Sequence, residues 1–204
     1  MELVPLFPLP LVFFPGGRLP LQIFETRYLD MVRECMRQGQ GFGIVRIQEG
    51  EQVLTGRSLA DQLTQPSVAA CGTEGQIVDF DQNPNGTLAV TVQGQRKFAV
   101  LGVEERADRL MMAEVEWLPE EPEQSLPHHF EHLAELLESI SQHEAVFRLG
   151  LSVDYGDARD VSWRLAELLP CDLDTKQRLL ELQSPLKRLT EIERAIEMLQ
   201  ASQL

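Results

Sequence analysis

The feature that most constrains the fold is a change of hydrophobic periodicity along the chain. Segments such as residues 88–92 (LAVTV) carry an apolar side chain at every second position, which is typical of half-buried strands. In residues 130–140 the apolar side chains recur every three or four positions, as in an amphipathic helix. The stretch between them (LPEEPEQSLP) has prolines and acids without a period. We therefore predict a β-rich N-terminal domain (residues 1–117), an acidic linker (118–127) and a C-terminal helical bundle (128–204).

The N-terminal part predicts a partly closed antiparallel barrel, because its strand patterns are many, short and separated by turn residues. One such turn is residues 83–86 (NPNG), where asparagine and glycine accept a positive φ. A single helix interrupts the strands over residues 25–38, with Cys35 on its apolar stripe and Gly39 as the C-terminal left-handed residue. The fold class is therefore α+β, with one helix inserted in the barrel.

The C-terminal part predicts a series of short helices. The apolar spacing indicates one helix over residues 161–169 and another over residues 175–182. Asp172 or Asp174 is available to cap the second of these, and Ser184, followed by a proline, starts the last helix.

Net charge excludes some classes of partner. The 204 residues contain 32 acidic and 18 basic side chains, a net charge of −14. A nucleic-acid backbone or an anionic membrane calls for a basic surface, so neither is predicted as a partner. No apolar run is long enough for a membrane span, and a cytoplasmic location is the default expectation. Cys35, Cys71 and Cys171 are far apart and odd in number, which predicts reduced thiols and no disulfide framework.

A histidine cluster is the strongest candidate for a metal site. His128, His129 and His132 lie near Glu131 and Glu135 at the start of a helix, and two of each type share one face. The H-E-x-x-H pattern is absent, so we interpret the cluster as a solvated helix face.

Three other motifs resemble sites without completing them. Residues 81–86 (DQNPNG) match the first half of a calcium loop, but the position that needs glutamate is Val92, and a hairpin turn explains the pattern. Asp79 and Asp81 share a strand face, which we interpret as structural. The glycines of residues 39–43 precede a strand, and no G-x-x-x-x-G-K-[ST] motif occurs. We predict no cofactor, no metal and no catalytic residue.

The apolar N-terminal segment is the better candidate for binding. Phe13 and Phe14 stand beside a proline–glycine turn, and an apolar patch at a loop suits docking of hydrophobic segments. Because strands alternate faces, we expect only one of the two rings to be free. A cleft between barrel and bundle is a second candidate. The residues assigned to the binding surface are Phe13, Phe14, Arg18, Phe24, Glu25, Arg27 and Tyr28.

Several blocks of the sequence resemble a known family. They are residues 5–9 (PLFPL), 14–16 (FPG), 19–21 (LPL), 23–28 (IFETRY), 72–73 (GT), 76–81 (QIVDFD), 88–98 (LAVTVQGQRKF), 164–170 (RLAELLP) and 176–182 (KQRLLEL). In this order they are similar to the N-terminal domain of Lon proteases, and more so to bacterial proteins that carry only that domain. The resemblance covers nearly the whole chain.

The resemblance implies a PUA-like pseudo-barrel followed by helices, and a role in capturing unfolded protein substrates. The ATPase and protease of full-length Lon lie in later domains, whose motifs are absent here. We therefore expect a non-enzymatic protein-binding or adaptor module whose partners are protein segments, including unfolded polypeptides. Two alternatives stay open, a small-ligand or RNA-binding PUA-like domain and a cryptic hydrolase.

Overall fold

The computed structural model describes residues 2–48, 67–82 and 87–201, so the turn predicted at residues 83–86 lies outside the described residues. The strands are β1 (Glu2–Leu9), β2 (Arg18–Ile23), β3 (Phe42–Gln48), β4 (Ser67–Val68), β5 (Cys71–Gln82), β6 (Leu88–Glu105) and β7 (Met111–Trp117). The helices are α1 (Thr26–Gln38), a 3₁₀ turn (His128–Phe130), α2 (Glu131–Ser141), α3 (Glu144–Phe147), α4 (Ala158–Leu168), α5 (Leu173–Glu181) and α6 (Pro185–Ala201). Strands followed by helices confirm the predicted α+β class.

Five of the strands close into a barrel. β1 pairs with β3 in parallel and with β7 antiparallel, and the antiparallel pairs β7–β6, β6–β5 and β5–β3 complete the ring. β6 has 18 residues, so its first half pairs with β2 and its second half with β7. Bulges shift the β5–β6 register twice, which lets the two long strands curl around the barrel.

Alternation along the strands supplies the core of the barrel. Val4 and Leu6 of β1 point inward and pack with Phe98 of β6 and Val115 of β7. On β6, Val90 and Val92 are buried in a second cluster, as their alternate spacing predicts.

Helix α1 covers that second cluster. Tyr28, Met31 and Cys35 are buried on its inner face, which confirms the predicted core position of this cysteine. Glu25 is the N-cap residue, and Gly39 ends the helix with φ of 66°, a left-handed conformation that favours glycine.

The later helices pack around a third cluster, formed by side chains of α2, α4, α5 and α6. The Asp157 side chain accepts the Arg159 amide, so α4 begins three residues earlier than the predicted Val161. Asp172 caps α5 in the same way. No helix within the described residues is long and apolar enough to cross a membrane.

Candidate functional site

The loop after β1 joins the barrel to the helices. Phe14 is fully buried against the Trp163 ring of α4, with ring centroids 5.8 Å apart, and Phe13 is only 4% exposed in the core under α1. The expectation that one of the two rings is free is therefore wrong. Sequence alternation predicts opposite faces for neighbouring residues, but here both faces are covered, one by α1 and one by α4.

Helix α4 holds this loop through its polar side chains. Arg164 is almost fully buried, donates to the Pro15 carbonyl oxygen and pairs with Glu167 at 2.5 Å. Burial lowers the pKa of the Arg164 guanidinium and raises the pKa of the Glu167 carboxyl. A β-carbon on Gly17 would lie 2.6 Å from Glu167 Oε1, so a side chain at this position would require the paired Glu167 carboxylate to move. The proline–glycine turn is therefore packed against α4 inside the fold.

The predicted residues at the start of α1 contact one another. The Arg27 guanidinium pairs with Glu25 at 2.7 Å, lies 4.6 Å above the Tyr28 ring, and donates to the Arg109 carbonyl oxygen at 2.9 Å. Arg109 has φ of 65°, a left-handed conformation that is strained for a residue with a side chain. Arg27 therefore links α1 to the β6–β7 turn. Arg18, the other predicted cation, is exposed on β2.

Large apolar side chains are exposed at one end of the β2–β6–β5 sheet. Phe24 is 73% exposed and Phe80 is 58% exposed. Leu21 of β2 pairs with Val90 of β6, which pairs with Phe80 of β5, so these three residues form one row across the sheet. Phe24 follows Ile23, the last residue of β2. We call Phe24, Val78 and Phe80 the hairpin patch.

A buried ion cluster lies where the barrel meets the helices. Lys97 of β6 pairs with Glu121 at 2.8 Å, and Arg188 of α6 donates to both oxygens of the same carboxylate at 2.9 Å and 2.6 Å. All three side chains are at most 3% exposed. Backbone carbonyl oxygens of Leu180 and Leu182 accept the remaining Lys97 protons. A buried charge is tolerated only when it is paired and hydrogen-bonded, as here.

The indole of Trp163 packs against the two cations of this cluster. The Arg188 guanidinium lies 3.2 Å from the centre of its ring and the Lys97 ammonium 4.8 Å from it, both within range of a cation–π contact. The sequence prediction missed the cluster because Glu121 lies among the acids of residues 118–127. The one signal in the sequence was the rarity of lysine, since Lys97 is one of only three in the chain.

A cleft of about 640 Å³ opens above the cluster, between the barrel and α4. Gln76, Gln93 and Gln95 line its barrel side, and Arg159 and Asp160 line its helical side. Its volume is within the range of ligand pockets, about 300–1,000 Å³. The second predicted candidate therefore exists as a cleft lined by both polar and apolar side chains. The division into domains at residues 118–127 stays a prediction.

Two histidines of the cluster lie within contact distance of glutamates. His128 Nδ1 lies 2.6 Å from Glu131, and His132 Nε2 lies 3.1 Å from Glu193 of α6. Within residues 2–48, 67–82 and 87–201, no group of three or more histidine, cysteine or acidic side chains converges as metal ligands would.

The thiols are shielded from ionisation. Burial raises the pKa of Cys35 and of Cys71 to about 11. Because the thiolate is the nucleophile, neither thiol is activated for covalent chemistry.

Solved structures define the class to which this fold belongs. A crystal structure of a Lon N-terminal domain protein from Xanthomonas campestris is similar with a TM-score of 0.76 and 34% identity, covering 95% of this chain and 98% of that one. The N-terminal domain of a Mycobacterium avium complex Lon protease shares the fold, with a TM-score of 0.59 and 16% identity over 94% of this chain and 96% of that one. The pseudo-barrel with appended helices is thus a Lon N-terminal type of domain.

The family follows from the sequence itself. The model of the ATP-dependent protease La (LON) substrate-binding domain matches residues 3–200, and the chain belongs to this family. Lon protease 2 of Myxococcus xanthus is 29% identical over 110 residues, and Protein cereblon of Gallus gallus is 26% identical over 123 residues. These matches cover 53% and 58% of this chain but only 12% and 24% of those proteins. The chain therefore carries a substrate-binding, non-catalytic type of domain.

Proposed function

We propose that this chain acts as a recognition module or adaptor that binds flexible or unfolded segments of other proteins through the hairpin patch. The observation that carries the proposal is the exposure of two phenylalanine rings, Phe24 and Phe80, at the same end of one sheet. Isolated exposed apolar side chains are ordinary, but large ones grouped together mark interaction sites. Membership of a family of substrate-binding domains supports the same function.

The geometry favours apolar stretches of an unfolded chain as the ligand. Phe24 and Phe80 offer exposed apolar surface, so a ligand gains most by burying its own apolar side chains against the two rings. Folded proteins hide such stretches, so the patch would select unfolded segments.

The test is binding of a chemically unfolded, carboxymethylated model protein, measured by fluorescence anisotropy. We expect Phe24→Ser and Phe80→Ser, combined, to weaken binding at least tenfold, since each ring buries apolar area worth about 1–2 kcal/mol. Phe147→Ser is the matched control, because Phe147 is 77% exposed but lies on α3. Equal binding by wild type and the double variant would refute the hairpin patch as the site. No binding by wild type would refute the function.

A cytoplasmic location and the adaptor role stay predictions. The adaptor role would require that the bound segment be delivered to another protein, and a co-sedimentation assay that includes candidate partners would test this step.

A further inference from the structure

We propose that the outer face of β1, β7 and β6 binds a basic, amphipathic segment of another protein. This surface, here called the acidic face, lies on strands other than β2 and β5, which position the hairpin patch. The proposal does not depend on the proposed function. The acidic face consists of Leu3, Leu101, Glu104, Glu114 and Glu116.

Strand register brings these side chains to one side of the sheet. Leu3 of β1 pairs with Glu114 of β7, which pairs with Gly102 of β6. Paired residues point to the same face, and so do residues two positions apart, which adds Glu116 and Glu104. Gly102 has no side chain, so the centre of this face is a hollow of about 330 Å³ between Leu3 and the carboxylates.

Leu3 lines the hollow, and a second exposed leucine, Leu101, directly precedes Gly102 on β6. Leu3 is 54% exposed and Leu101 is 49% exposed. Leu101 is the extra residue of a bulge, since Val100 pairs with Val115 and Gly102 with the very next residue back, Glu114. A bulge changes the direction of a side chain, and here it leaves a leucine exposed on an 18-residue strand.

The carboxylates of the acidic face lack cationic partners. Some exposed acids elsewhere are paired with cations, as Glu34 is with Arg37 and Glu144 with Arg148. In the part of the chain that the structure describes, Glu104, Glu114 and Glu116 have neither an ion pair nor a hydrogen bond. No lysine or arginine lines the hollow.

Charge complementarity indicates which kind of protein segment binds the acidic face. Grouped carboxylates without counter-charges attract lysine and arginine and repel acidic chains, and a net charge of −14 strengthens this attraction at long range. The leucines supply apolar contacts that a purely polar partner would leave unused. Glu114 and Glu116 are about 7 Å apart along β7, which matches alternate residues of an extended partner. The occupant is therefore an extended segment that presents basic and apolar side chains on the same face, at every second position.

The probe is a fluorescent peptide of about twelve residues with serine at every second position and with lysine and leucine in turn at the positions between, so that lysines and leucines share one face, titrated with the full chain. We expect Glu104→Gln with Glu114→Gln to weaken binding about fivefold to tenfold, with the loss shrinking in high salt. The matched control is Glu135→Gln with Glu138→Gln on α2, which removes the same charge from exposed positions. We expect this control to change the affinity less than twofold.

A separate substitution tests the apolar contacts of the acidic face. We expect Leu101→Gln to weaken binding of the same peptide about threefold to tenfold. Met198→Gln, on an exposed site of α6, should leave it unchanged. Equal losses in the face and control pairs would show attraction to bulk charge and overturn the proposal. Equal affinity for a peptide with serine in place of leucine would also overturn it. Phe80→Ser should leave this binding intact, which separates the acidic face from the hairpin patch.

Discussion

Replacing Glu121 by glutamine should destabilise the fold more than any other single loss of charge. The variant keeps the shape of the side chain but leaves the Lys97 ammonium and the Arg188 guanidinium buried without their shared carboxylate. Removing one partner of a buried ion pair costs about 3–5 kcal/mol. We therefore expect Glu121→Gln to lower the free energy of unfolding by at least about 3 kcal/mol at pH 7, a value at the low end of the range.

The pH dependence gives the same experiment a second readout. Burial lowers the pKa of Lys97 from its ordinary value of 10.5, while Glu121 opposes that shift. The unfolded chain then binds the lysine proton more tightly, so stability rises with pH between the lowered value and 10.5. Without Glu121 the pKa of Lys97 falls further. The deficit of the variant should therefore be largest near neutral pH and should shrink as pH approaches 10.

The assay is urea unfolding followed by circular dichroism and by tryptophan fluorescence. Trp163 reports on the junction, because the Arg188 guanidinium lies 3.2 Å from its ring centre, and Trp117→Phe removes the chain's other tryptophan. A loss of about 3 kcal/mol shifts the urea midpoint by about 1–2 M at usual slopes.

The control is the neighbouring residue. Glu120 has a side chain that is 90% exposed and only a long contact with Arg159, at 3.8 Å, so Glu120→Gln should cost less than about 0.5 kcal/mol. Unfolding free energies of the Glu121 and Glu120 variants within about 1 kcal/mol of each other, the size of a net hydrogen bond, would contradict the role of Glu121 as the shared partner of two buried cations. A Glu121 deficit that grows between pH 7 and pH 10 would contradict it as well.

Three further outcomes follow from the structure. Gly17→Ala should destabilise by about 1–3 kcal/mol, measured by thermal unfolding, since its methyl group would press on Glu167; an unchanged Tm would contradict the tight contact. Arg109→Gly should stabilise by about 0.5–1 kcal/mol in urea unfolding, because glycine adopts φ of 65° without strain; a loss would show that the arginine side chain matters more. In native protein at pH 8, Cys171 should react with a thiol reagent faster than Cys35, whose pKa is raised to about 11 by burial; the reverse order in peptide mapping would refute this shielding.

The spacing of apolar residues was sufficient to predict the secondary-structure elements and the fold class. Period-two patterns such as Val90 and Val92 identify strands because a half-buried strand must alternate, and helical spacing identified α1 with Cys35 inside and Gly39 at its end. Such patterns depend only on local geometry and on one buried face. The helices α4 and α5 begin at Ala158 and Leu173, a few residues before their predicted starts. The start of each helix depends on which aspartate caps it, and a single hydrogen bond determines this.

The candidate site was harder to predict because its properties come from contacts between distant parts of the chain. Phe13 and Phe14 looked available in the sequence, but two different helices cover them. Glu121 looked solvated among other acids, but its partners are 24 and 67 residues away. Phe80 is exposed although its row includes the buried Val90, because burial at the end of a sheet depends on what lies beyond it.

The loop between β1 and β2 has a consequence for how this domain can be transferred between proteins. Val12 and Phe14 belong to the same cluster as the helical side chains of α4 and α6, and Lys97 of the barrel is capped by carbonyl groups next to α5. A gene fragment that ended near residue 118 would expose that cluster and leave a buried lysine without acceptors. We expect barrel and helices to be inherited, fused and expressed as one unit, so that any transplanted form of this module must include both.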